Sequence, residues 1–454
     1  MKINSKSNKS IFVNSNSPLK EILNKINLNN INGVFVIDKK KYLKGIITDV
    51  DIRKSLLKGK LKKQAKAKNL MKKNFYYLDF DRLENSYNQF IKSHKILVPI
   101  LKDKRFYDYI HVTNIQPAIN KERDIRILIT GGLGYIGSVL TEKLLKKGFK
   151  INILDTNFYG NYLKKKKYGE NLKIFYGNCF SKSNLSVAIK NCKHVIHLGE
   201  IVGDPATALN ENFSIKNNFE TTNFIVNECL KRGIERFIFT SSCSVYGYSK
   251  IKCNEKSNLN PVSLYARCKV ACEKQILSFK KTKIFTPTIL RLSTVHGISP
   301  RPRLDLVVNR FCANAVKNKK ITVYGEKNWR PLISVQDVAD GIIKILISKK
   351  NKVNKKIFNL GSSKENFTIK SICQTIAKRT NSKIEISPQL DDPRSYKVSF
   401  DKIEKELNFK PKNPFNKSIN LIIKNFKKNK KKLNNINFHN DKKIEKLHKN
   451  KNAR

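Results

Sequence analysis

The stretch IRILITGGLGYIGSVLTEKLLKKGFKINILD, residues 125–155, decides the fold of this 454-residue chain. An apolar run ends at Thr130, a glycine-rich turn follows, and an amphipathic segment leads to a second apolar run ending at Asp155. This order of strand, turn, helix and strand is typical of a βαβ unit. The turn has the spacing TGxxGxxG, which suits a tight bend and a close approach of the backbone to a pyrophosphate. We expect a dinucleotide to contact Gly131, Gly134, Tyr135, Ile136 and Gly137.

The residue that ends the second run indicates which dinucleotide binds. Asp155 follows Gly137 by eighteen residues, at the end of the predicted strand. A carboxylate at this place accepts hydrogen bonds from the adenosine ribose 2′-hydroxyl and repels a 2′-phosphate. Residues 156–159 contain no arginine that could hold such a phosphate. The sequence therefore predicts NAD in preference to NADP.

Outside this unit, apolar runs and helical patterns continue to alternate. Alternation of this kind predicts the α/β class, with a Rossmann-type doubly wound parallel sheet. We assign residues 124–426 to this unit and take the polar segment 116–124, which contains Pro117, as the linker before it. Beyond the first two strands, further strands are predicted at residues 173–176, 194–198, 236–241 and 286–292.

Two downstream segments carry the residues expected to perform chemistry. FIFTSSCSVYG (237–247) places Ser242 at the end of a strand, and PVSLYARCK (261–269) places Tyr265 four residues before Lys269. On a helix this spacing puts both side chains on one face. An ammonium group beside a phenol favours the phenolate, so Tyr265 is predicted to act as a base. Ser242 is expected to hydrogen-bond the same substrate oxygen. The alternative interpretation of Tyr265 and Lys269 is an exposed helical pair.

Taken together, these motifs resemble the extended short-chain dehydrogenase/reductase family, and within it the NAD-dependent nucleotide-sugar epimerases and dehydratases. The resemblance implies a nucleotide-sugar substrate and a small C-terminal substrate domain built from residues 299–309, 329–339 and 392–411. It places the following residues beside the cofactor: Asn178, Leu198, Asn218, Tyr265 and Lys269. It implies that the nucleotide diphosphate is held by Arg330 and Arg394, and that the substrate site includes Thr294 and Asn309.

Several positions depart from the family pattern and bear on the reaction. Cys243 and Ser244 stand where the family's 4,6-dehydratases have an Asp–Glu pair that removes water. Neither residue is a competent acid or base near neutral pH, so 4,6-dehydration is disfavoured. The other departures are Asn178 for an aspartate, Gly199 and Glu200 for alanines, Thr294 for an asparagine and His296 for a tyrosine.

Epimerisation at C4 through a transient ketosugar needs no additional acid, and is the reaction that the sequence favours. An NAD(H)-dependent 4-ketoreductase or dehydrogenase would use the same residues and stays open. A non-catalytic nucleotide or redox sensor is a further alternative, although a sensor has no need of a base. By analogy with the family, the setting is polysaccharide biosynthesis.

Residues 11–117 form a separate α+β unit that resembles a tandem pair of CBS modules. In the segment 34–59, Gly45, Thr48 and Asp51 have the CBS spacing Gly-x-x-Thr-x-x-Asp. A hydroxyl and a carboxylate at a helix start can bind ribose, which suggests an adenine nucleotide. The second copy, residues 76–115, lacks the aspartate. The alternative is that Thr48 and Asp51 only cap a helix.

Composition limits the remaining possibilities. The net charge of +57 comes mainly from lysine, is spread over the whole chain and accompanies abundant Asn and Ile, a pattern typical of an AT-rich genome. Specific nucleic-acid binding is therefore not predicted, although a polyanion-binding role stays open. Nine cysteines without a CxxC pair, and the lack of a long apolar run, predict a cytoplasmic protein with no metal site and no membrane contact. The resemblances imply a homo-oligomer, with a dimer expected. The Lys/Asn-rich residues 427–454 are expected to be a disordered basic tail.

Overall fold

The computed structural model describes residues 11–29, 32–57, 59, 64–82, 97–111, 125–163, 168–279, 284–387 and 392–452. The chain divides into two compact units, residues 1–122 and 123–454, and each is described separately. Among the described residues, no helix has both the length and the apolar character that a membrane crossing requires.

The first unit contains the same three-stranded arrangement twice. In each copy a short strand pairs in parallel with a longer one, which pairs antiparallel with the strand that follows it. The strands are β1 (Phe12–Val13), β2 (Gly33–Ile37) and β3 (Leu43–Thr48) in the first copy, and β4 (Leu78–Asp79), β5 (Leu97–Lys102) and β6 (Arg105–His111) in the second. The helices are α1 (Leu19–Asn29), α2 (Asp49–Leu57) and α3 (Ala67–Leu70).

A seven-stranded, wholly parallel sheet forms the centre of the second unit. The sheet confirms the predicted Rossmann-type fold. Its last edge strand, residues 356–360, was not among the strands that the sequence predicts. In spatial order the strands are β17 (Lys356–Leu360), β13 (Thr286–Leu292), β11 (Arg236–Ser242), β10 (Cys192–His197), β7 (Arg126–Thr130), β8 (Lys150–Asp155) and β9 (Leu172–Tyr176).

Helices cover both faces of this sheet, which explains why its strands are continuous apolar runs. Along β7, Ile127 and Ile129 contribute to one buried cluster, whereas Leu128 contributes to the other. The helices are α4 (Tyr135–Lys146), α5 (Lys182–Ala188), α6 (Asp204–Ala208), α7 (Glu211–Ile215), α8 (Thr221–Lys231), α9 (Leu264–Ser278), α10 (Val307–Asn318), α11 (Val335–Ile347) and α12 (Lys350–Val353).

A smaller C-terminal part packs around its own apolar cluster, formed mainly by α10 and by two later helices. Three small sheets pair β14 with β16 and β18, β15 with β19, and β12 with β20. These strands are β12 (Tyr248–Cys253), β14 (Thr294–His296), β15 (Lys320–Val323), β16 (Trp329–Ser334), β18 (Asn366–Thr368), β19 (Lys383–Ile386) and β20 (Ser395–Val398). The helices are α13 (Ile369–Thr380), α14 (Asp401–Leu407), α15 (Phe415–Lys428) and α16 (Asn440–Asn452).

The structure corrects the expectation that residues 427–454 are a disordered tail. As far as residue 452 the segment is ordered into the end of α15, two short 3-10 turns and α16. Leu433, Phe438 and Ile444 are buried, and the first two join the C-terminal apolar cluster. Three apolar side chains spaced five or six residues apart are enough to anchor a segment whose average composition is strongly polar.

Candidate active site

The glycine turn joins β7 to α4 without room for side chains. Gly131 has φ +69°, in the left-handed region that favours glycine. A Cβ atom at Gly137 would lie 2.4 Å from the carbonyl oxygen of Gly131 and 2.7 Å from Cα of Gly132. The start of α4 therefore lies directly against the turn, where its free N–H groups can meet an anion.

Replacing Gly137 with Ala is expected to lower the free energy of unfolding by about 1–3 kcal/mol, because backbone must move to admit the methyl group. The matched control is Gly134→Ala, whose Cβ would lie 3.2 Å from the same carbonyl oxygen. We expect the control to cost less than about 1 kcal/mol. Urea unfolding midpoints measure both values, and equal losses would show that the close contact at Gly137 is not what limits this position.

Asp155 ends β8 and lies in the wall of a cavity beside the glycine turn. Its Oδ2 accepts a hydrogen bond from the backbone N–H of Leu133 at 3.0 Å, and its Oδ1 accepts from that of Asn157 at 2.9 Å. Burial raises the pKa of Asp155, and these two donors oppose the rise. The carboxylate is therefore held in a fixed orientation, with lone pairs left for a ligand.

One cavity of about 950 Å³ brings together most of the residues that the sequence predicts for the site. Residues from the glycine turn, from the helix that carries Tyr265, and from the C-terminal part all line it. The predicted residues in its wall are Gly131, Gly134, Tyr135, Ile136, Gly137, Asp155, Asn178, Leu198, Ser242, Tyr265, Lys269, Thr294, Arg330 and Arg394.

Two predicted site residues are not in the cavity wall. Asn218 is fully buried outside the cavity wall, and its amide bonds to the backbone N–H and carbonyl of Ile201 at 2.9 and 2.8 Å. Asn309 is also fully buried, and bonds to the Gly297 N–H, the Tyr135 hydroxyl and the Arg303 carbonyl. Both amides bond to protein partners, so in this structure they fix the loops that form the cavity.

Lys269 lies below Tyr265 on α9, with its Nζ 5.6 Å from the centre of the Tyr265 ring. The ammonium donates to the carbonyl oxygen of Thr240 at 2.5 Å and to the carboxylate of Glu200. Lys269 and Glu200 are almost completely buried, and Lys269 is the ion-pair partner of Glu200 among the described residues. The residue that sequence reasoning left without a role is thus the counter-ion of the predicted catalytic lysine.

The pKa of Tyr265 reflects these neighbours. Burial raises the pKa of Tyr265, the positive charge of Lys269 opposes the rise, and the carboxylates of Glu200 and Asp204 add to it. Burial alone would lower the pKa of Lys269, but the charge and hydrogen bond of Glu200, together with the charges of Tyr265 and Cys272, outweigh burial and the pKa is raised. Lys269 is therefore charged, and is the group that favours the phenolate.

A buried ionic network fixes α9 on the sheet. Arg291 on β13 donates two hydrogen bonds to Glu273 on α9, at 3.0 Å from Nε to Oε1 and 2.6 Å from Nη2 to Oε2. Glu273 also accepts from Ser241 at 2.5 Å, next to the predicted catalytic Ser242. Breaking this network would leave a buried charge unpaired, which is energetically costly. The network therefore holds the strand that ends at Ser242 and the helix that carries Tyr265 in a fixed relative position.

The two residues after Ser242 offer no acid–base pair. Cys243 is fully buried, donates to the carbonyl of Arg291 at 3.4 Å, and burial raises the pKa of its thiol well above the usual value. Ser244 lies in the cavity wall and donates its backbone N–H to Ser242 Oγ at 3.1 Å. Neither can exchange a proton near neutral pH.

Acidic partners hold the two arginines predicted for the diphosphate. Nη2 of Arg330 donates to Asp392 at 2.6 Å, and Nε of Arg394 donates to the same carboxylate at 2.8 Å. Arg394 also donates to Asp204. These aspartates lower the cost of burying the guanidinium groups and set their orientation, while both side chains still line the cavity.

Sequence reasoning missed further charged and polar residues in the cavity wall. Arg301, Arg303 and Asp305 follow β14, and Asn440 and Asp441 begin α16. The repeated arginines in SPRPR were visible in the sequence, whereas nothing in the Lys/Asn-rich end suggested a cavity wall.

Comparison with known proteins agrees with this geometry. The model of the NAD-dependent epimerase/dehydratase family matches residues 127–361. The chain belongs to this family. A CBS domain model matches residues 6–58.

Individual relatives show the same relationship. An uncharacterised protein of Methanocaldococcus jannaschii is 30% identical over 67% of this chain and 97% of its own length. A UDP-N-acetyl-alpha-D-glucosaminuronate decarboxylase of Bacillus cytotoxicus is 32% identical over 58% of this chain and 82% of its own. In fold, the chain is similar to the UDP-glucose 4-epimerase of Thermus thermophilus solved with NAD, with a TM-score of 0.58, 23% identity, and coverage of 66% and 99%.

NAD is the cofactor of this family, and the residues present in the cavity fit it. The glycine turn leaves no side chain between the start of α4 and a pyrophosphate, and Asp155 presents a fixed carboxylate for the ribose. The sequence-based prediction of NAD is confirmed.

Proposed function

We propose that this family member is a nucleotide-sugar epimerase that acts at C4. The observation that carries the proposal is that Tyr265, charged Lys269 and the glycine turn line one cavity, while positions 243 and 244 hold no acid–base pair. A base that can take and return one proton is sufficient for epimerisation.

Each residue has a defined part in this reaction. When bound, NAD supplies a reversible hydride acceptor for the carbon that reacts. The Lys269 charge favours the phenolate form of Tyr265, which takes the proton of the sugar hydroxyl and becomes a neutral phenol. Ser242 donates a hydrogen bond to the sugar oxygen and holds it beside the phenol. Once the sugar has rotated and presents its other face to the cofactor, Tyr265 returns the proton to the same oxygen.

The relatives and the cavity wall favour a diphosphate-linked substrate. The relatives named above include proteins described as acting on UDP-sugars. Arg330 and Arg394 can pair bidentately with phosphate oxygens through the N–H donors that do not bond to Asp392. A uridine diphosphate sugar is therefore the first substrate to test.

The test is to incubate purified protein, without added cofactor, with UDP-, GDP-, CDP- and dTDP-linked hexoses and hexuronic acids. We expect one substrate to give a product of unchanged mass with inverted C4, read by mass spectrometry and proton NMR. Retained NAD is expected to support many turnovers.

Other products would contradict the proposal and identify the alternative. Stoichiometric consumption of added NADH would indicate a 4-ketoreductase. Loss of carbon dioxide from a hexuronic acid would indicate a decarboxylase, and loss of water a dehydratase. No turnover, together with tight nucleotide binding, would indicate the sensor.

We also propose that the CBS-like unit binds an adenine nucleotide and regulates the enzyme. Thr48 donates to Asp51 at 2.7 Å, and Asp51 pairs with Lys72 at 2.5 Å, so the motif also caps α2. The hydroxyl groups of a bound ribose would replace these contacts with hydrogen bonds of their own. Isothermal titration of the full chain with AMP, ADP and ATP is expected to show binding that Asp51→Asn weakens about tenfold. Identical titrations for the variant would leave Asp51 with only its capping role.

A further inference from the structure

Arg301 is a buried positive charge that forms no ion pair among the described residues. Its side chain is 1% exposed, and no carboxylate in the described part of the chain lies within ion-pairing distance. Nη2 donates to the Asn437 carbonyl at 2.8 Å and to Asn440 Oδ1 at 2.6 Å, whereas Nε has no partner. Burial, followed by the nearby charge of Arg303, lowers the pKa of Arg301 to about 10.

Other buried arginines of the same unit are treated differently. Arg291 pairs with Glu273, Arg303 with Asp305, and Arg330 with Asp392. Burying a charge is unfavourable unless an opposite charge compensates for it. The carboxylate of Asp305 acts on Arg301 only at longer range and is itself paired with Arg303, so Arg301 indicates an anion beyond those that the described residues provide.

The position of Arg301 indicates which anion this is. Its guanidinium lies in the cavity wall, stacked 4.0 Å from the centre of the Tyr159 ring, in the loop that follows Asp155. The charge of Arg301 opposes the rise in pKa that burial causes at Asp155 and at Tyr135. The contact with Tyr159 places Arg301 beside the loop after Asp155, and Ser299, two residues before Arg301, donates to the carbonyl of Tyr135, the first residue of α4, at 2.7 Å. Asp155 and the start of α4 are the two features that flank the pyrophosphate of a bound dinucleotide.

A segment from the end of the chain holds Arg301 in place. We define the C-terminal strap as residues 436–447. Its Asn440 also donates to the Val202 carbonyl at 3.4 Å, and the Phe438 carbonyl accepts from Leu304 at 2.7 Å. Four strap residues line the cavity: Asn440, Asp441, Ile444 and Leu447.

We propose that Arg301 binds the pyrophosphate of NAD, and that the C-terminal strap positions Arg301 and covers the adenosine end of the cavity. Arg301, which lies outside the βαβ unit, then supplies the positive charge that the glycine turn lacks. The strap makes release of the cofactor depend on its own displacement. This assignment depends on NAD being the cofactor and is independent of which sugar reaction follows.

The test is Arg301→Met in the full chain, with affinities for NAD, ADP-ribose and adenosine measured by isothermal titration after removal of retained cofactor. Loss of a charge-assisted contact is expected to weaken NAD and ADP-ribose about ten- to hundredfold and to leave adenosine within twofold. The control is Arg379→Met, which removes an exposed arginine bonded to Asn416 outside the cavity wall, and which should leave all three affinities unchanged.

Asn440→Ala provides a second variant that keeps the Arg301 charge but removes its anchor. We expect NAD to dissociate about tenfold faster from this variant, measured by displacement with excess ADP-ribose. An NAD affinity of Arg301→Met within twofold of the parent, or an equal loss for adenosine, would overturn the pyrophosphate assignment. An unchanged dissociation rate for Asn440→Ala would overturn the part assigned to the strap.

Discussion

Tyr265→Phe is expected to reduce kcat by about 10²–10⁴-fold, the range over which a positioned acid or base contributes to catalysis. The substitution removes one hydroxyl and keeps the ring, which packs above Lys269. The sugar hydroxyl then has no acceptor for its proton. Because the glycine turn and Asp155 are untouched, we expect bound NAD per chain to stay the same.

The measurement is turnover of the substrate found in the sugar screen, at saturating concentration, beside the NAD content of the same preparation. Tyr176→Phe is the matched control, because Tyr176 is 59% exposed and its hydroxyl only accepts from Asn161 at 3.1 Å. The control should keep full activity. If Tyr265→Phe retained more than about a tenth of the parent kcat, the base would have to be another group.

The fold and much of the site were predictable because local patterns determine them. A strand, a glycine turn and a helix in the order of residues 125–155 are typical of dinucleotide binding. Helix geometry places Tyr265 and Lys269, four residues apart, on one face. The family match and the parallel sheet confirm that interpretation. These signals require only residues close together in the sequence.

Partners that come from distant segments were not predictable. Asn218 and Asn309 carry the right chemistry for ligands, but only the fold shows that their amides bond to Ile201, Gly297 and Tyr135. Arg301 was not singled out, since the lack of a counter-ion can be seen only once every neighbour is placed. Average composition does not predict the order of residues 427–452, because the few apolar residues that anchor a segment scarcely change its mean hydropathy.

The role of Glu200 leads to the second large prediction, which concerns pH. Tyr265 and Lys269 interact electrostatically at close range, so they titrate as a coupled pair and not as separate groups. Other groups near the pair are Asp204 and Arg303, the thiols of Cys268 and Cys272, and His197, whose pKa burial lowers to about 3. Among the described ionisable groups around the pair, Glu200 is the one that bonds to the Lys269 ammonium.

Glu200→Gln removes a negative charge from beside both members of the pair. Whichever member loses its proton first, that loss becomes easier, so the apparent pKa of the pair falls. Activity requires the deprotonated phenol and therefore rises with pH through this pKa. We expect the acid limb of the kcat/KM profile to move to lower pH by about one to two units.

A purely structural role for Glu200 would change stability but not the position of this limb, so the pH profile separates the two roles. Glu228→Gln is the control, since Glu228 is another buried glutamate but pairs only with Lys231 and Arg232 on its own helix. The control should keep the parent profile. An acid limb that stays within about 0.3 units in a folded Glu200→Gln protein would mean that the Glu200 charge does not act on the group that sets this limb. A shift in the expected direction would mean that this chain keeps its base protonated to a higher pH than a lysine alone would allow, and that the carboxylate in place of the family's alanine is the cause.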